Sequence, residues 1–302
     1  MSNIILIAGA TGDLGGRLSK HLIGKGAQVR ALVREESDPV KVGNLRQSGV
    51  EVIPLCFADE SGLIAACQGV SCVVSVLAGL REAIVTAQQQ LLDAAVKAGV
   101  PRFIPSDFCT DFTQLMPGDN RNFDLRMEFK SILDSRPIRA TSVFNGAFTY
   151  VLNHDIPLLD TRTKTIADYE GKADWRIDFT SIADTAAFTA SAALDDDAPR
   201  LLRIAGFQVS PNELVALSGR VFDQPFALKS QGSLPEFAAY IKKVRADQPQ
   251  GESQLYPQWQ QMQYLYSMFA AHHHAVDNDR YPDIDWQTAA GTLEKIKNKK
   301  IA

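Results

Sequence analysis

The segment from Asn3 to Gly16, NIILIAGATGDLGG, constrains the fold more than any other part of the chain. Its isoleucine-rich opening has the composition of a strand buried on both faces. A turn follows with glycines at positions 9, 12 and 15, and then Leu14, Leu18, His21, Leu22 and Ile23 recur at near-helical spacing. Strand, glycine turn and helix in that order give each glycine a task. Gly9 reverses the chain, Gly12 lets backbone N–H groups approach a pyrophosphate, and Gly15 lets the helix pack close to the strand. The helix N-terminus then offers unsatisfied N–H donors and a positive dipole end to the phosphates. Thr11, Asp13 and Leu14 complete the expected cradle. Glycine turns alone are a weak signal, and it is the placement between a buried strand and a helix that points to a dinucleotide.

A second strand, Ala27 to Val33, ends at Arg34, nineteen residues after Gly15. At this point of such a unit an acidic residue takes the ribose 2′-hydroxyl of NAD, whereas arginine suits the 2′-phosphate of NADP. A guanidinium pairs a phosphate through two parallel charge-assisted hydrogen bonds. Arg34 therefore points to NADP(H), with Ser37 as a further phosphate donor. The competing readings are a surface arginine paired with Glu35 or Glu36, and an NAD site built on Glu35.

The alternation continues. Val42 to Gln47 reads as a short helix, Val50 to Leu55 as a third strand, and Asp59 or Ser61 as the cap of a helix through Cys67. Ser71 to Leu77 reads as a fourth strand. A long helix is expected from about Glu82 to Ala98, closed by Gly99 and Pro101, and Arg102 to Pro105 begins a fifth strand. Five alternations predict an α/β, Rossmann-type doubly wound parallel sheet with helices on both faces. Ligands of such sheets lie beyond the carboxyl ends of the strands. That gathers Gly9 to Gly15, Arg34, Leu77 to Gly79 (Ala78 included) and Ser106 to Cys109 around one crevice. After Asn145 the rhythm loosens into a hairpin-like stretch through Thr165 and Ala167, then Asp178 to Asp184 leading into an alanine-rich helix. A strand from Leu201 to Phe207 precedes Ser210-Pro211-Asn212-Glu213, a helix start with Ser210 as cap and Glu213 three residues on. Trp259, Tyr264, Tyr266, Met268 and Phe269 belong to helices expected to wall or cover a substrate. The expected organisation is a dinucleotide-binding domain over 1–150, receiving a strand and helix from about 174–210. A smaller, intimately joined α/β substrate lobe takes up most of 151–302.

A formal net charge of −4 over 302 residues argues against a nucleic-acid surface. The basic cluster Lys295 to Lys300 reads as a solvated helix end. No apolar run is long enough to span a membrane, and the chain leads straight into its first strand. The four cysteines, Cys56, Cys67, Cys72 and Cys109, have no metal-like spacing and suit a reduced compartment, three of them as packing residues. The expectation is a cytoplasmic protein, monomer or homodimer, without metal, nucleic acid or membrane partners.

Several stretches together resemble the isoflavone reductase-like branch of the atypical short-chain dehydrogenases, related to NmrA-like proteins. They are Gly9 to Gly15, the run Ala31 to Lys41, Arg102-Phe-Ile-Pro105-Ser106-Asp107-Phe108, Ser210-Pro-Asn-Glu213-Leu and Arg280-Tyr281-Pro282-Asp283. The branch includes phenylcoumaran benzylic ether reductases and pinoresinol–lariciresinol reductases. The resemblance implies that NADPH lies across the sheet edge and gives a hydride to a small aromatic or carbonyl-type substrate: an enone, a quinone or a phenolic ether. It places Pro105, Ser106, Asp107 and Phe108 beside the nicotinamide. Asn145 and Phe148, from Asn145-Gly146-Ala147-Phe148, line its pocket. The branch credits acid–base chemistry to a lysine in the helix after this loop. Here Phe123-Asp124-Leu125-Arg126 is similar to its Phe-Glu-Val-Lys, so the lysine position holds Arg126.

That exchange bears on chemistry. A desolvated lysine can be tuned to give up a proton near neutrality. Arginine stays charged, a poor acid and a good anion clamp. Three catalytic candidates follow: Arg126 as substrate-orienting cation, Lys130 one turn later as proton donor, and Asp107 as orienting carboxylate. Arg126 and Lys130 on a solvated helix face, and Asp107 as an internal loop cap, are the structural alternatives. Cys109 lacks a neighbouring base and reads as packing. His272-His273-His274 would point about 100° apart on a helix and cannot converge on a metal, so a helix surface near a pocket mouth is expected. His154 reads as a pocket-wall residue or proton relay. Two functions fit: an NADPH-dependent reductase, or a non-catalytic sensor of the NADP(H) redox state.

Overall fold

The computed structural model describes residues 3–153 and 156–301, without the side chains of 153 and 299–301. His154 lies outside the described residues. Strands β1 (Ile4–Ala8), β2 (Gln28–Val33), β3 (Glu51–Pro54), β4 (Cys72–Ser75), β5 (Arg102–Ile104) and β6 (Arg139–Ala140) form one sheet in the order β3-β2-β1-β4-β5-β6. Every pairing in it is parallel. Helices α1 (Asp13–Gly24), α2 (Pro39–Gln47), α3 (Glu60–Cys67), α4 (Gln88–Lys97) and α5 (Arg121–Asp134) make the connections.

The two-residue period of a strand splits β1 between two cores. Ile5 and Ile7 pack with Leu18 and Leu22 of α1, whereas Leu6 and Ala8 pack with Leu63, Leu91, Phe103 and Phe129. A strand buried on both faces must be apolar at consecutive positions, as the opening run is. The strand order reverses between β1 and β4, and this opens a crevice beyond their carboxyl ends.

The second half runs β7 (Ser142–Phe144), β8 (Ala147–Phe148), β9 (Leu159–Asp160), β10 (Thr165–Asp168), β11 (Ile177–Thr180), α6 (Ile182–Leu194), β12 (Leu201–Arg203), β13 (Phe207–Val209), α7 (Pro211–Phe222), β14 (Ala227–Ser230), α8 (Leu234–Asp247), α9 (Gln258–Ala270) and α10 (Ala289–Ile301). The Phe188 and Ala190 side chains of α6 enter the same core as α1. A separate core gathers Ile166, Tyr169, Phe179, Leu265, Phe269 and Leu293.

Several elements depart from their expected bounds. α2 starts at Pro39 rather than Val42, because the Asp38 carboxylate caps the Val40 N–H and Pro39 occupies the first turn. The expected long helix is a π turn over Glu82–Ala87 followed by α4. The strand expected over Leu201 to Phe207 divides, since β12 pairs with β7 and β13 with β11. The histidine triplet is not helical: α9 ends at Ala270, and His273 is buried. The capping box of Ser210 and Glu213 forms as expected. Of the Lys295 to Lys300 cluster, Lys297 donates to the Val221 carbonyl at 2.9 Å instead of facing only solvent.

Candidate functional site

The glycine turn is sterically obligatory. Gly9 has φ +95°, and a Cβ on it would fall 2.8 Å from the Val76 carbonyl oxygen. A Cβ on Gly15 would collide with the Gly9 carbonyl oxygen and fall 2.7 Å from the Ala10 Cα. α1 thus sits closer to β1 than any residue with a side chain permits. No side chain caps α1, whose N-cap is Gly12, whereas Asp38, Asp59, Asn120 and Ser181 cap α2, α3, α5 and α6. Among the described residues no side chain or loop carbonyl takes its first-turn N–H groups, the arrangement that receives phosphate. Asp13 is exposed and paired with Arg17 at 2.6 Å.

Arg34 follows the last residue of β2 and is exposed. Among the described residues its guanidinium makes no side-chain hydrogen bond or ion pair, so neither Glu35 nor Glu36 occupies it. The Ser37 N–H donates to the Arg34 carbonyl at 3.0 Å and folds the turn back. Lys41 of α2 lines the same cleft as Thr11, Gly12 and Asp13. Sequence reasoning missed this cation, although it stands within the resembling stretch.

The edges of β4 and β5 are joined by their loops. The Ser106 hydroxyl donates to the Leu77 carbonyl at 2.6 Å, and the Ser106 N–H donates to Gln88 Oε1 at 2.9 Å. Gln88 stands where the π turn passes into α4, which turns this buried amide toward the loop; the sequence carried no signal for it. Asp107 is fully buried and accepts the Ser142 hydroxyl at 2.7 Å, while its Oδ1 has no partner. Burial pushes its carboxyl up to about 6, and the Ser142 bond and the Arg126 charge work against that rise. Arg200 donates to the Ser142 hydroxyl at 2.7 Å and clamps Asp134. The Lys130 ammonium also rests on Asp134, at 2.6 Å. Cys109 packs with Phe112 and Phe144, and burial drives its thiol well above the usual range. The Phe108 side chain is buried against the core of α1 and α6, below the crevice.

Arg126 lies over this loop. Its Nε donates to the Ser106 carbonyl at 3.0 Å and its Nη1 to the Asn122 carbonyl at 2.8 Å. The start of α5 is tied to α9: Asn120 caps the helix, donates to the Ser267 hydroxyl at 3.1 Å and accepts Gln260. Asn122 accepts from Arg121 Nε at 3.1 Å and donates both to the Leu255 carbonyl and, at 2.9 Å, to the Tyr264 phenol oxygen. Tyr264 stacks edge-on against Phe123 with centroids 5.3 Å apart, and Tyr256 lies 6.3 Å beyond. Phe148 stacks on Tyr150 at 5.8 Å.

Asn145 belongs to the same region by its backbone: its N–H donates to the Cys109 carbonyl and its carbonyl accepts the Thr180 hydroxyl. Its side chain is fully buried, with both amide atoms unpartnered. Behind it lies a polar cluster the sequence did not reveal. His273 is held near Asp178, which burial pushes up to about 6 while burial lowers the imidazole to about 4. Among the described residues no group of three His, Cys, Asp or Glu could hold a metal, and no helix is long and apolar enough to cross a membrane.

The family model for NmrA-like proteins matches residues 1–296, nearly the whole chain. The chain belongs to the NmrA-like family. An Arabidopsis thaliana relative named "Probable pinoresinol-lariciresinol reductase 3" is 26% identical, with 97% of each chain covered. Phenylcoumaran benzylic ether reductase PT1 of Pinus taeda is 27% identical over 81% of this chain and 82% of its own. Among solved structures, "AtPrR2 with NADP+ and (+)pinoresinol" superposes with a TM-score of 0.79 at 21% identity, covering 98% of this chain and 99% of that one. A binary complex of leucoanthocyanidin reductase and NADPH from Vitis vinifera has the same TM-score at 16% identity, over 99% of this chain and 100% of that one. These structures share the fold of this chain.

Proposed function

We propose that this NmrA-like chain is an NADPH-dependent reductase of small aromatic or conjugated carbonyl-type substrates. The observation that carries the reading is Arg126 bound to the Ser106 carbonyl. It sets the Arg126 guanidinium against the loop after β5, the edge at which sheets of this kind hold ligands, and α5 also carries Phe123 against Tyr264 of α9. The names of its relatives and the ligands in its structural neighbours agree with this reading. In it, the Gly9–Gly15 turn, with Thr11, Asp13 and Leu14, cradles the pyrophosphate. Arg34, Ser37 and Lys41 surround the 2′-phosphate. Leu77, Ala78, the Pro105–Phe108 loop, Asn145 and Phe148 border the ring end.

Bound NADPH would supply the hydride. Arg126 orients the substrate oxygen and steadies the negative charge that develops on it. Asp107 positions rather than reacts, holding the loop to β7 through Ser142. Lys130, its ammonium on Asp134, stands outside this chemistry. The partly exposed Tyr264 and Phe148 side chains offer apolar surface to a substrate ring. The test is NADPH oxidation with a panel of enones, quinones and phenolic ethers. Turnover with at least one class is expected, and none across the panel despite measured NADPH binding refutes catalysis.

A second reading is favoured by one observation, an arginine where the related reductases place their acid–base lysine. A sensor of the NADP⁺/NADPH ratio needs no proton donor. It does need a difference in affinity between the two forms, because equal binding shifts no equilibrium. Calorimetry with both forms decides: a clear preference without turnover supports the sensor, and equal affinities eliminate it.

A further inference from the structure

A guanidinium is a poor acid, so the reduction still needs a proton from a group other than Arg126. We propose that the Tyr264 phenol is the proton donor, poised by the Asn122 amide beside Arg126. The inference rests on the reductase reading. The orientation of Asn122 is set independently of Tyr264: its Oδ1 accepts from Arg121 Nε, so its Nδ2 must donate, and it does so to the Leu255 carbonyl and to the phenol oxygen. Tyr264 is therefore an acceptor in that contact. Its own O–H finds no acceptor among the described residues and is free to turn toward a substrate.

Burial pushes the phenol up to about 12, so it keeps its proton until the strongly basic oxyanion of the reduced substrate takes it. Asn122 and Arg126 lie four residues apart on α5, one turn of helix, and Arg126 Nη1 is bonded to the Asn122 carbonyl. The Arg126 charge opposes the rise that burial imposes on the phenol, as the Asn122 hydrogen bond also does, while Tyr256 and the Cys109 thiol reinforce it. These are the titratable and charged groups that face the hydroxyl, from α5, the segment before α9 and the loop after β5. The ring is fixed edge-on against Phe123, while the residue keeps partial solvent exposure for reprotonation.

The step balances simply. Hydride from NADPH forms a C–H bond at the electrophilic carbon, and the electron pair of the reduced double bond moves onto oxygen. That oxygen takes the Tyr264 proton, leaving a phenolate held by Asn122 Nδ2 and the Arg126 field until water returns the proton. NADP⁺ and the reduced substrate leave.

Tyr264→Phe keeps the ring packing and removes only the hydroxyl. The expected result is a fall in kcat of roughly a hundredfold or more, with the KM for NADPH, the NADPH affinity and the thermal midpoint unchanged. A readout independent of turnover is the affinity of the NADP⁺-loaded protein for nitrophenolate against nitrobenzene. Loss of the donor should weaken the anion roughly tenfold or more and leave nitrobenzene unaffected. Unchanged kcat in Tyr264→Phe, or equal changes for the two probes, overturns the proposal. Absence of turnover in the unsubstituted chain instead removes the reductase reading, and the nitrophenolate comparison still judges Tyr264.

Discussion

Replacing Asp107 by asparagine should change how stability depends on pH, by an amount the structure sets. The carboxyl is fully buried, and burial raises it from near 3.8 to about 6. A group raised in the folded state keeps its proton there after the unfolded chain has lost it. Between those values the folded state binds more protons, so stability falls as pH rises through about 4 to 6. A shift of about two units corresponds to about 3 kcal/mol over that window, at about 1.4 kcal/mol per unit. His273, lowered to about 4, works in the opposite direction, because the unfolded imidazole takes its proton first. Asp178, raised to about 6, adds a slope of the same sign as Asp107. Both are present in either protein and cancel in the difference. Asparagine keeps an oxygen for the Ser142 hydroxyl, so the loop retains its anchor. Urea unfolding of both proteins at several pH values across this range gives the two curves. The Asp107→Asn curve should diverge upward from the parent by about 3 kcal/mol between about pH 4 and pH 6. Parallel curves would refute a buried, proton-retaining carboxyl at this loop.

Two further outcomes test the cofactor end of the crevice. Arg34→Ala should weaken NADP(H) by tenfold or more and leave NAD(H) nearly unchanged in calorimetry, since among the described residues the guanidinium has no partner to lose; equal losses would assign Arg34 another task. Gly15→Ala should cost about 1–3 kcal/mol in denaturant unfolding and lower affinity for both dinucleotides together. The new methyl drives α1 away from Gly9 and Ala10, and unchanged affinity would separate the turn from dinucleotide binding.

Much of the first half was legible because its signals are local. The run Ile4–Ala8, the three glycines, Asp59 as cap and the Ser210–Glu213 box each act within a few residues of themselves. The misreadings came where neighbours distant in sequence decided. Leu201 to Phe207 looks like one strand, yet it divides between partners more than twenty residues away. The histidine triplet looks helical until Asp178 captures the His273 N–H. The π turn before Gln88 carries no composition signal, because a π turn and an α-helix draw on the same residues.

What the sequence by itself determined was a doubly wound sheet, a phosphate-receiving turn and an arginine at the end of β2, all written in periodicity, glycine positions and charge. Tertiary structure alone decided which partners the candidate catalytic groups find. Arg126, Lys130 and Asp107 read as three alternatives along the chain. Folding separates them: Arg126 is set on the Ser106 carbonyl, Lys130 is drawn to Asp134, and Asp107 is buried behind Ser142. It also brings Tyr264 across from α9 to the amide of Asn122, a hydrogen bond spanning 142 residues. A side chain's role depends on which partner its polar atoms find, and for these groups the decisive partners lie on other elements.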